Sequence, residues 1–395
     1  MKYVPLVLLL GLFTTQCIQH VKPTPDPDAP LMMQLSVDYS NPTALTVQLR
    51  GTMFKTMAGP QEVPFDKAEV YLAEGSPSNL SLLTTSTQKD VILPALKPNT
   101  VYYVSTKGYV GAKVSQLSGS VPVISDVLTP TGKLMPYDRM SFYSVSPDGN
   151  RAIRQYRNAS GRYVTMLTDG ANTRELSPYT ATDNGIFYCQ GWDGAGQVAF
   201  FEINRSKKRQ FVSYDVTRQV YTELSIPAEA DIWNYALSPD GQQLVFTDYK
   251  RSGLWYFSNA TKTQKSISGF QTIYALNWTP DSQHILVTGP NPTGSGVPRV
   301  VQLNPQTNAQ TDVLSEAASV SKAKMSPDGR FLLFESNLSG AGNIWLQNRE
   351  TRQLRVVSNG SQFGWLANGS FWADYRQPDS KPTGEREANL WVFKP

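Results

Sequence analysis

Apolar and polar residues alternate along most of this chain in short runs separated by Gly, Pro, Asn and Asp. Between residues 31 and 126 the runs occupy 31–37, 44–49, 68–72, 91–96, 101–105 and 121–124. A period of two puts one set of side chains on each face of a strand. Turn residues at this spacing predict about seven strands packed as a β-sandwich over 31–126. Beyond residue 127 the pattern becomes repetitive. Ser146-Pro147-Asp148-Gly149 returns as Ser238-Pro239-Asp240-Gly241, Thr279-Pro280-Asp281-Ser282 and Ser326-Pro327-Asp328-Gly329, at intervals of 92, 41 and 47 residues.

After each turn comes an apolar run, as at 244–246, 285–287 and 331–334, and a later strand carries Trp255, Trp345 or Trp391 in register. Trp192-Asp193-Gly194 lies halfway across the widest interval, and Ala367-Asn368-Gly369 lies one interval beyond the last turn. Both read as decayed copies. Six units of about 45 residues then fill 127–395, each the size of a four-stranded propeller blade. The expected class is all-β: a β-sandwich followed by a six-bladed β-propeller. The sixth unit runs out after its third strand, so the segment 127–134 is expected to supply the fourth. This would also fix the sandwich beside the sixth blade.

Composition supports this class and removes several functions. Only 17% of residues are charged while 40% are apolar, and there are 28 Gly and 27 Pro. That profile argues against disorder and solvated helical bundles. The two histidines, His20 and His284, are too few for a His-based metal cluster, and no G-x-S-x-G presents a nucleophilic serine. No catalytic residue, metal site or cofactor is assigned. A net charge of +4 is too small for a nucleic-acid binder.

The N-terminus reads as a targeting segment. Lys2 precedes an apolar run over 4–13, followed by Thr14, Thr15, Gln16 and Cys17. This matches a secretory signal over 1–16 and is too short to cross a bilayer. Cys17 directly after it resembles the lipobox of bacterial lipoproteins, with Gln16 where Gly, Ala or Ser is usual. The resemblance implies acylation of Cys17 and a membrane anchor. Ile18 stands where an aspartate would favour the inner membrane, so the outer membrane is expected. Four prolines within 21–30 form a semi-rigid spacer over 17–30. With Cys17 acylated, Cys189 has no disulfide partner and reads as a small core filler.

Two further resemblances follow from motifs. Leu96-Lys97-Pro98-Asn99-Thr100-Val101-Tyr102-Tyr103-Val104 resembles the L-x-P-x-T-x-Y-x-V pattern of fibronectin type III domains, although 31–126 contains no tryptophan. This implies that Tyr102 is a structural tyrosine corner. The Ser-Pro-Asp-Gly turns resemble the WD40-like PD40 repeat of TolB-like six-bladed propellers, over about two-thirds of the chain. Such propellers serve as docking platforms in the bacterial periplasm.

Asp148, Asp240, Asp281 and Asp328 read as turn structure: proline presets the second position of a type I turn and glycine closes the fourth. Trp255, Trp345 and Trp391 read as packing between blades, and His284 as a strand residue. The loops opposite the Ser-Pro-Asp-Gly turns vary in length and carry Arg157, Arg205, Lys207, Lys208, Arg209, Lys250, Arg251 and Arg376. These cations form the candidate binding rim, with Asp248, Glu335 and Asp374 nearby. The expected function is a monomeric, non-enzymatic cell-envelope lipoprotein whose propeller binds an envelope protein or peptide, possibly acidic. The alternative is a surface lipoprotein that binds or processes glycans, which would need a carboxylate pair in the channel.

Overall fold

The computed structural model describes residues 30–39, 44–55, 59–97, 100–136, 141–161, 163–176, 186–205, 208–224, 232–248, 253–270, 272–290, 298–314, 320–339, 342–358, 360–375 and 389–395. The signal sequence, Cys17 and nearly all of the proline-rich spacer lie outside them. The described residues are all-β apart from one 3-10 turn, Pro77–Asn79.

Residues 31–124 form two antiparallel sheets around a shared core. In the first, Leu31–Asp38 pairs along its length with Thr46–Lys55, whose other edge takes Gly59–Val63 and Asp90–Ile92. The second runs Ser81–Ser86, Lys67–Glu74, Val101–Val110, with Lys113–Val114 and Val121–Ile124 both paired to Val101–Val110. Met33, Leu35, Val37, Val47 and Leu49 of one sheet share a buried cluster with Val70, Tyr102, Val104 and Val123 of the other. The expected strand at 91–96 stops at Ile92, because Pro94 has no N–H to continue the ladder. Tyr102 is buried, and its hydroxyl accepts the Lys97 N–H at 3.2 Å, which ties the preceding loop to its strand.

From residue 132 onward the chain builds six four-stranded antiparallel sheets. Blade 1 holds Ser141–Val145, Arg151–Arg157, Tyr163–Asp169 and Asn172–Glu175. Blade 2 holds Ile186–Trp192, Val198–Arg205, Lys208–Asp215 and Val220–Leu224. Blade 3 comprises Ile232–Leu237, Gln243–Asp248, Leu254–Ser258 and Thr263–Ile267. Blade 4 comprises Ala275–Trp278, Ile285–Pro290, Pro298–Leu303 and Gln310–Leu314. Blade 5 uses Val320–Met325, Phe331–Ser336, Asn343–Asn348 and Leu354–Ser358. Blade 6 uses Phe363–Trp365, Phe371–Tyr375, Asn389–Phe393 and, as its fourth strand, Gly132–Pro136.

First strands of successive blades touch from blade 1 through to blade 6. The ring closes where the Tyr143 N–H donates to Gln362 Oε1 at 2.9 Å and the Ala367 N–H to Pro147 O at 2.7 Å. The six first strands therefore surround a central channel, and the fold is a six-bladed β-propeller.

One buried apolar cluster fills each of the six gaps between neighbouring blades. This explains the unbroken apolar second strands. Leu244 and Phe246 face blade 2 while Val245, between them, faces blade 4. A blade has no solvent face, so both parities must be apolar. Trp255 joins the layer between blades 2 and 3, and Trp391 the layer between blades 5 and 6, as expected. Trp345 extends further. It packs edge-on against Tyr39 of the N-terminal sheets, with ring centroids 6.0 Å apart.

Fourth-strand donation by an N-terminal segment holds, with two corrections. The strand is Gly132–Pro136, a few residues later than 127–134, because Val127 is committed elsewhere. It forms a parallel bridge to Val356 on the outer strand of blade 5, where the Leu128 N–H donates to Val356 O at 2.7 Å. The N-terminal sheets consequently sit against blade 5, not blade 6. Their anchors are the Val37 N–H to Ser339 O bond of 3.0 Å, the Tyr39–Trp345 contact, and an Asp126–Arg355 ion pair of 3.1 Å.

Candidate functional site

The two faces of the ring are built differently. On the turn face, between first and second strands, one hydrogen-bond pattern repeats. In blade 1 the Gly149 N–H donates to Ser146 O at 2.9 Å, and Ser146 Oγ accepts the Arg151 N–H at 2.9 Å. The same hydroxyl donates to Asp148 Oδ1, which accepts the Asn150 N–H at 3.1 Å. Blades 3, 4 and 5 repeat this with Ser238–Asp240, Thr279–Asp281 and Ser326–Asp328. The closing residue has φ of +78° at Gly149, +69° at Gly241 and +74° at Gly329, a left-handed conformation that favours glycine. Ser282 adopts it at +58°.

Each aspartate thus serves its own turn. The Ser326 hydroxyl, with the Arg330 N–H and guanidinium, holds Asp328 down at about 2 despite its partial burial. Asp328→Ala should lower stability by about 1 kcal/mol at neutral pH. A carboxylate with a depressed pKa contributes above its unfolded value, so the deficit should shrink as pH falls from about 4 towards 2. Urea midpoints of both proteins across that range check the sign, and a pH-independent deficit would refute the assignment.

Two expected copies behave differently. In blade 2 the turn is not centred on Trp192-Asp193-Gly194. Asp193 takes the serine place, accepting the Val198 N–H at 2.8 Å, and the closing glycine is Gly196 at φ +68°. In blade 6 the reading at 367–369 fits the turn: the Gly369 N–H donates to Leu366 O at 3.1 Å, and Asn368 Oδ1 accepts the Ser370 N–H at 3.0 Å. His284 lies in the blade 4 turn rather than within a strand, its N–H donating to Thr279 Oγ1 at 3.0 Å.

The correct blade 2 register exposes a feature the sequence reading missed. Trp192, Trp278 and Trp365 occupy one position, immediately before the turn, in alternate blades. Each indole N–H donates to a carbonyl of the preceding blade's first strand: Ser144 at 3.1 Å, Ala236 at 2.9 Å and Lys324 at 3.0 Å. The spacing of 86 and 87 residues, twice a blade, was its signal. A second missed feature lies on the second strands, nine residues after the turn's first residue in blades 1 to 5. Gln155, Glu202, Thr247, Thr288 and Glu335 stand there, with Asp374 equivalent in blade 6, where the turn is one residue shorter. Several cap a neighbouring first strand. Gln155 Oε1 accepts the Cys189 N–H at 2.9 Å, the Glu202 carboxylate accepts the Tyr235 hydroxyl, and Asp374 Oδ1 accepts the Ser361 and Gln362 N–H groups at 2.8 and 2.9 Å. Burial pushes Asp374 above the usual carboxylate range, although these N–H donors pull it back.

Beyond this belt is the loop face, where first strands begin and second strands end. Of the eight rim cations only Arg157 has a described side chain. Its Nε donates to Gly161 O at 2.7 Å, and its guanidinium lies 5.8 Å from the Tyr163 ring centroid. Arg205, Lys208 and Arg209 lie on the two strands of the blade 2 hairpin, Arg205 opposite Lys208, but their side chains are outside the described set. Lys207, Lys250, Arg251 and Arg376 are outside it altogether. The exposed groups that the structure adds here are aromatic. Phe142 is 68% exposed and Tyr274 45%, while Arg154 stacks over Tyr156 at 4.5 Å.

Cys189 of blade 2, partly buried, packs against the apolar layer between blades 1 and 2, as expected of a small filler, and burial pushes its thiol up to about 11. Lys324 of blade 5 interacts with it electrostatically, and the Lys324 Nζ donates to Phe363 O at 3.0 Å. Among the described residues no group of three or more His, Cys, Asp or Glu could hold a metal ion, and no helix is long and apolar enough to cross a membrane.

No protein-family model matches the sequence, and no curated protein is similar to it. Among solved structures, the chain is similar to TolB from Acinetobacter baumannii, at 11% identity and a TM-score of 0.42, covering 82% of this chain and 79% of that one. It is similar to a structural genomics protein of unknown function from Bacteroides thetaiotaomicron VPI-5482, at 12% identity and a TM-score of 0.44, covering 94% of this chain and 100% of that one. It is also similar to Kuenenia stuttgartiensis hydrazine synthase, at 12% identity and a TM-score of 0.39, over 63% of this chain and 76% of the other.

Proposed function

We propose that this protein is a non-enzymatic, lipid-anchored envelope protein whose propeller holds a protein or peptide partner at the loop face. The observation that carries the reading is the asymmetry between the faces. The turn face is a repeated set of short turns whose polar groups satisfy one another. The loop face presents Phe142 of blade 1 and Tyr274 of blade 4 to solvent, with Arg157 at the end of the blade 1 second strand. Exposed aromatics and arginines on a rigid support are the residue types that anchor protein interfaces. Glycan processing has less support: Glu202 and Asp374 are engaged by Tyr235 and the 361–362 backbone, not paired across the channel.

In this reading the N-terminal sheets are a fibronectin type III-like sandwich, supported by their strand order and the Tyr102–Lys97 bond. Cys17 is the acylated anchor to the outer membrane, and 17–30 lifts the folded body from the lipid. The reading is tested by placing a photo-cross-linking residue at Phe142 on one face or at the exposed Gln242 on the other, in the native envelope. A discrete cross-linked product from position 142, absent from position 242, is expected, and Cys17→Ser should release the protein from membranes. Products from position 242 alone would place the partner on the wrong face.

A further inference from the structure

The first strand of blade 5 carries a cation, Lys324, that has no ion pair among the described residues. Lys324 lies two residues before the turn on the first strand of blade 5. The other blades bring Ser144, Gly191, Ala236, Asn277 and Gly364 to that position, mostly small side chains. Small neighbours leave space for the four-carbon stem of Lys324 inside the ring. Its ammonium is seated against the first strand of blade 6, 3.0 Å from Phe363 O and 5.9 Å from the Phe363 ring centroid.

An ammonium has three donors. One is used on Phe363 O, and among the described residues Lys324 makes no ion pair. Lys322, two residues earlier on the same strand face, is compensated by an ion pair with Glu335. It lies 5.1 Å from the Phe363 ring centroid and donates to Ser361 O, with Glu335 3.6 Å away. Burial, followed by the charge of Lys322, brings Lys324 down to about 8, while Cys189 acts in the opposite direction. At neutral pH the throat therefore carries a mostly protonated, poorly solvated amine. Desolvated charges are costly unless paired, and an anion that enters supplies the missing pair.

We propose that this throat is a binding site for a single carboxylate, held by the Lys324 ammonium. The carboxylate can arrive on a free small acid or at the end of a peptide chain. The site lies inside the ring and stands independently of the loop-face reading. A failed cross-link at position 142 leaves it untouched.

The test uses the full chain, labelled at pH 8 with limiting acetic anhydride and read residue by residue by mass spectrometry. Acetate should slow acylation of Lys324 several-fold relative to exposed Lys394, and chloride at equal ionic strength should not. A short peptide with a free C-terminus, compared with its amidated form, separates the two sources. Protection by the free form alone indicates a peptide terminus, and protection by acetate alone a small acid. In parallel, the carboxyl-carbon signal of 13C-acetate should broaden with the native protein and sharpen with Lys324→Met. If neither acetate nor the peptide protects Lys324 and no broadening occurs, the proposal is overturned. Should Lys324→Met fold poorly, the labelling of the native chain decides alone.

Discussion

A chain beginning after Pro136 should be recovered as aggregate, or melt at least about 10 °C below the full-length protein. Removing Gly132–Pro136 leaves blade 6 with three strands and bares the edge of Asn389–Phe393. Its N–H and C=O groups become a template for pairing with another chain. Leu390 and Trp372, which pack with Leu134 and Met135, lose cover on the side that closes the ring against blade 1. The same cut removes the N-terminal sheets and bares Trp345. Supplying residues 30–136 as a separate fragment should restore a soluble 1:1 complex, because the strand pairs through backbone groups that the fragment retains. Size-exclusion chromatography and thermal melts decide the matter. A monomeric 137–395 with the native melting temperature would show that the clasp contributes little.

Replacing Trp345 by alanine should cost about 3–5 kcal/mol, the range for deleting a fully buried aromatic side chain. Its indole is fully buried, packs between blades 4 and 5, meets Tyr39 across the junction, and donates its N–H to Ser336 O at 3.3 Å. Trp255, at the matching strand position in blade 3, packs only between blades. Trp345→Ala should therefore do something that Trp255→Ala does not. It should uncouple the N-terminal sheets from the propeller, so that one calorimetric transition becomes two. Tyr39→Phe should cost only about 1 kcal/mol, by leaving the Ile124 N–H without the hydroxyl that accepts it at 3.3 Å. A single transition in Trp345→Ala, with a loss no larger than in Trp255→Ala, would mean that the junction is not cooperative.

How far the chain could be read depends on which interactions are local. The Ser-Pro-Asp-Gly turns are closed within six residues, so their residue types and hydrogen bonds were legible from four letters of sequence. Blade 2 shows where that reading fails. Asp193 can replace the serine because a carboxylate accepts the same N–H, and the glycine then stands two residues later than a letter match suggests. Candidate functional residues were less legible than the frame. Loop composition alone marks the rim cations, and of these only Arg157 has a described side chain. Phe142 sits at the loop-face end of a strand whose alternation marks it as ordinary packing. It is exposed only because the ring ends there.

The sequence by itself determined the β class, the six-unit period, the turn chemistry and the need for a donated strand in blade 6. All four follow from residue periodicity, turn stereochemistry and counting within about 45 residues. Tertiary structure alone decided which blade carries the N-terminal sheets, how Trp192, Trp278 and Trp365 each tie a first strand to the one before it, and that the first strands carrying Lys324 and Cys189 line one ring. Those pairs are separated by 41 to more than 300 residues. Their meeting depends on ring closure, which no local pattern encodes: an apolar strand looks the same whether its neighbour is the next blade, the first blade or another sheet.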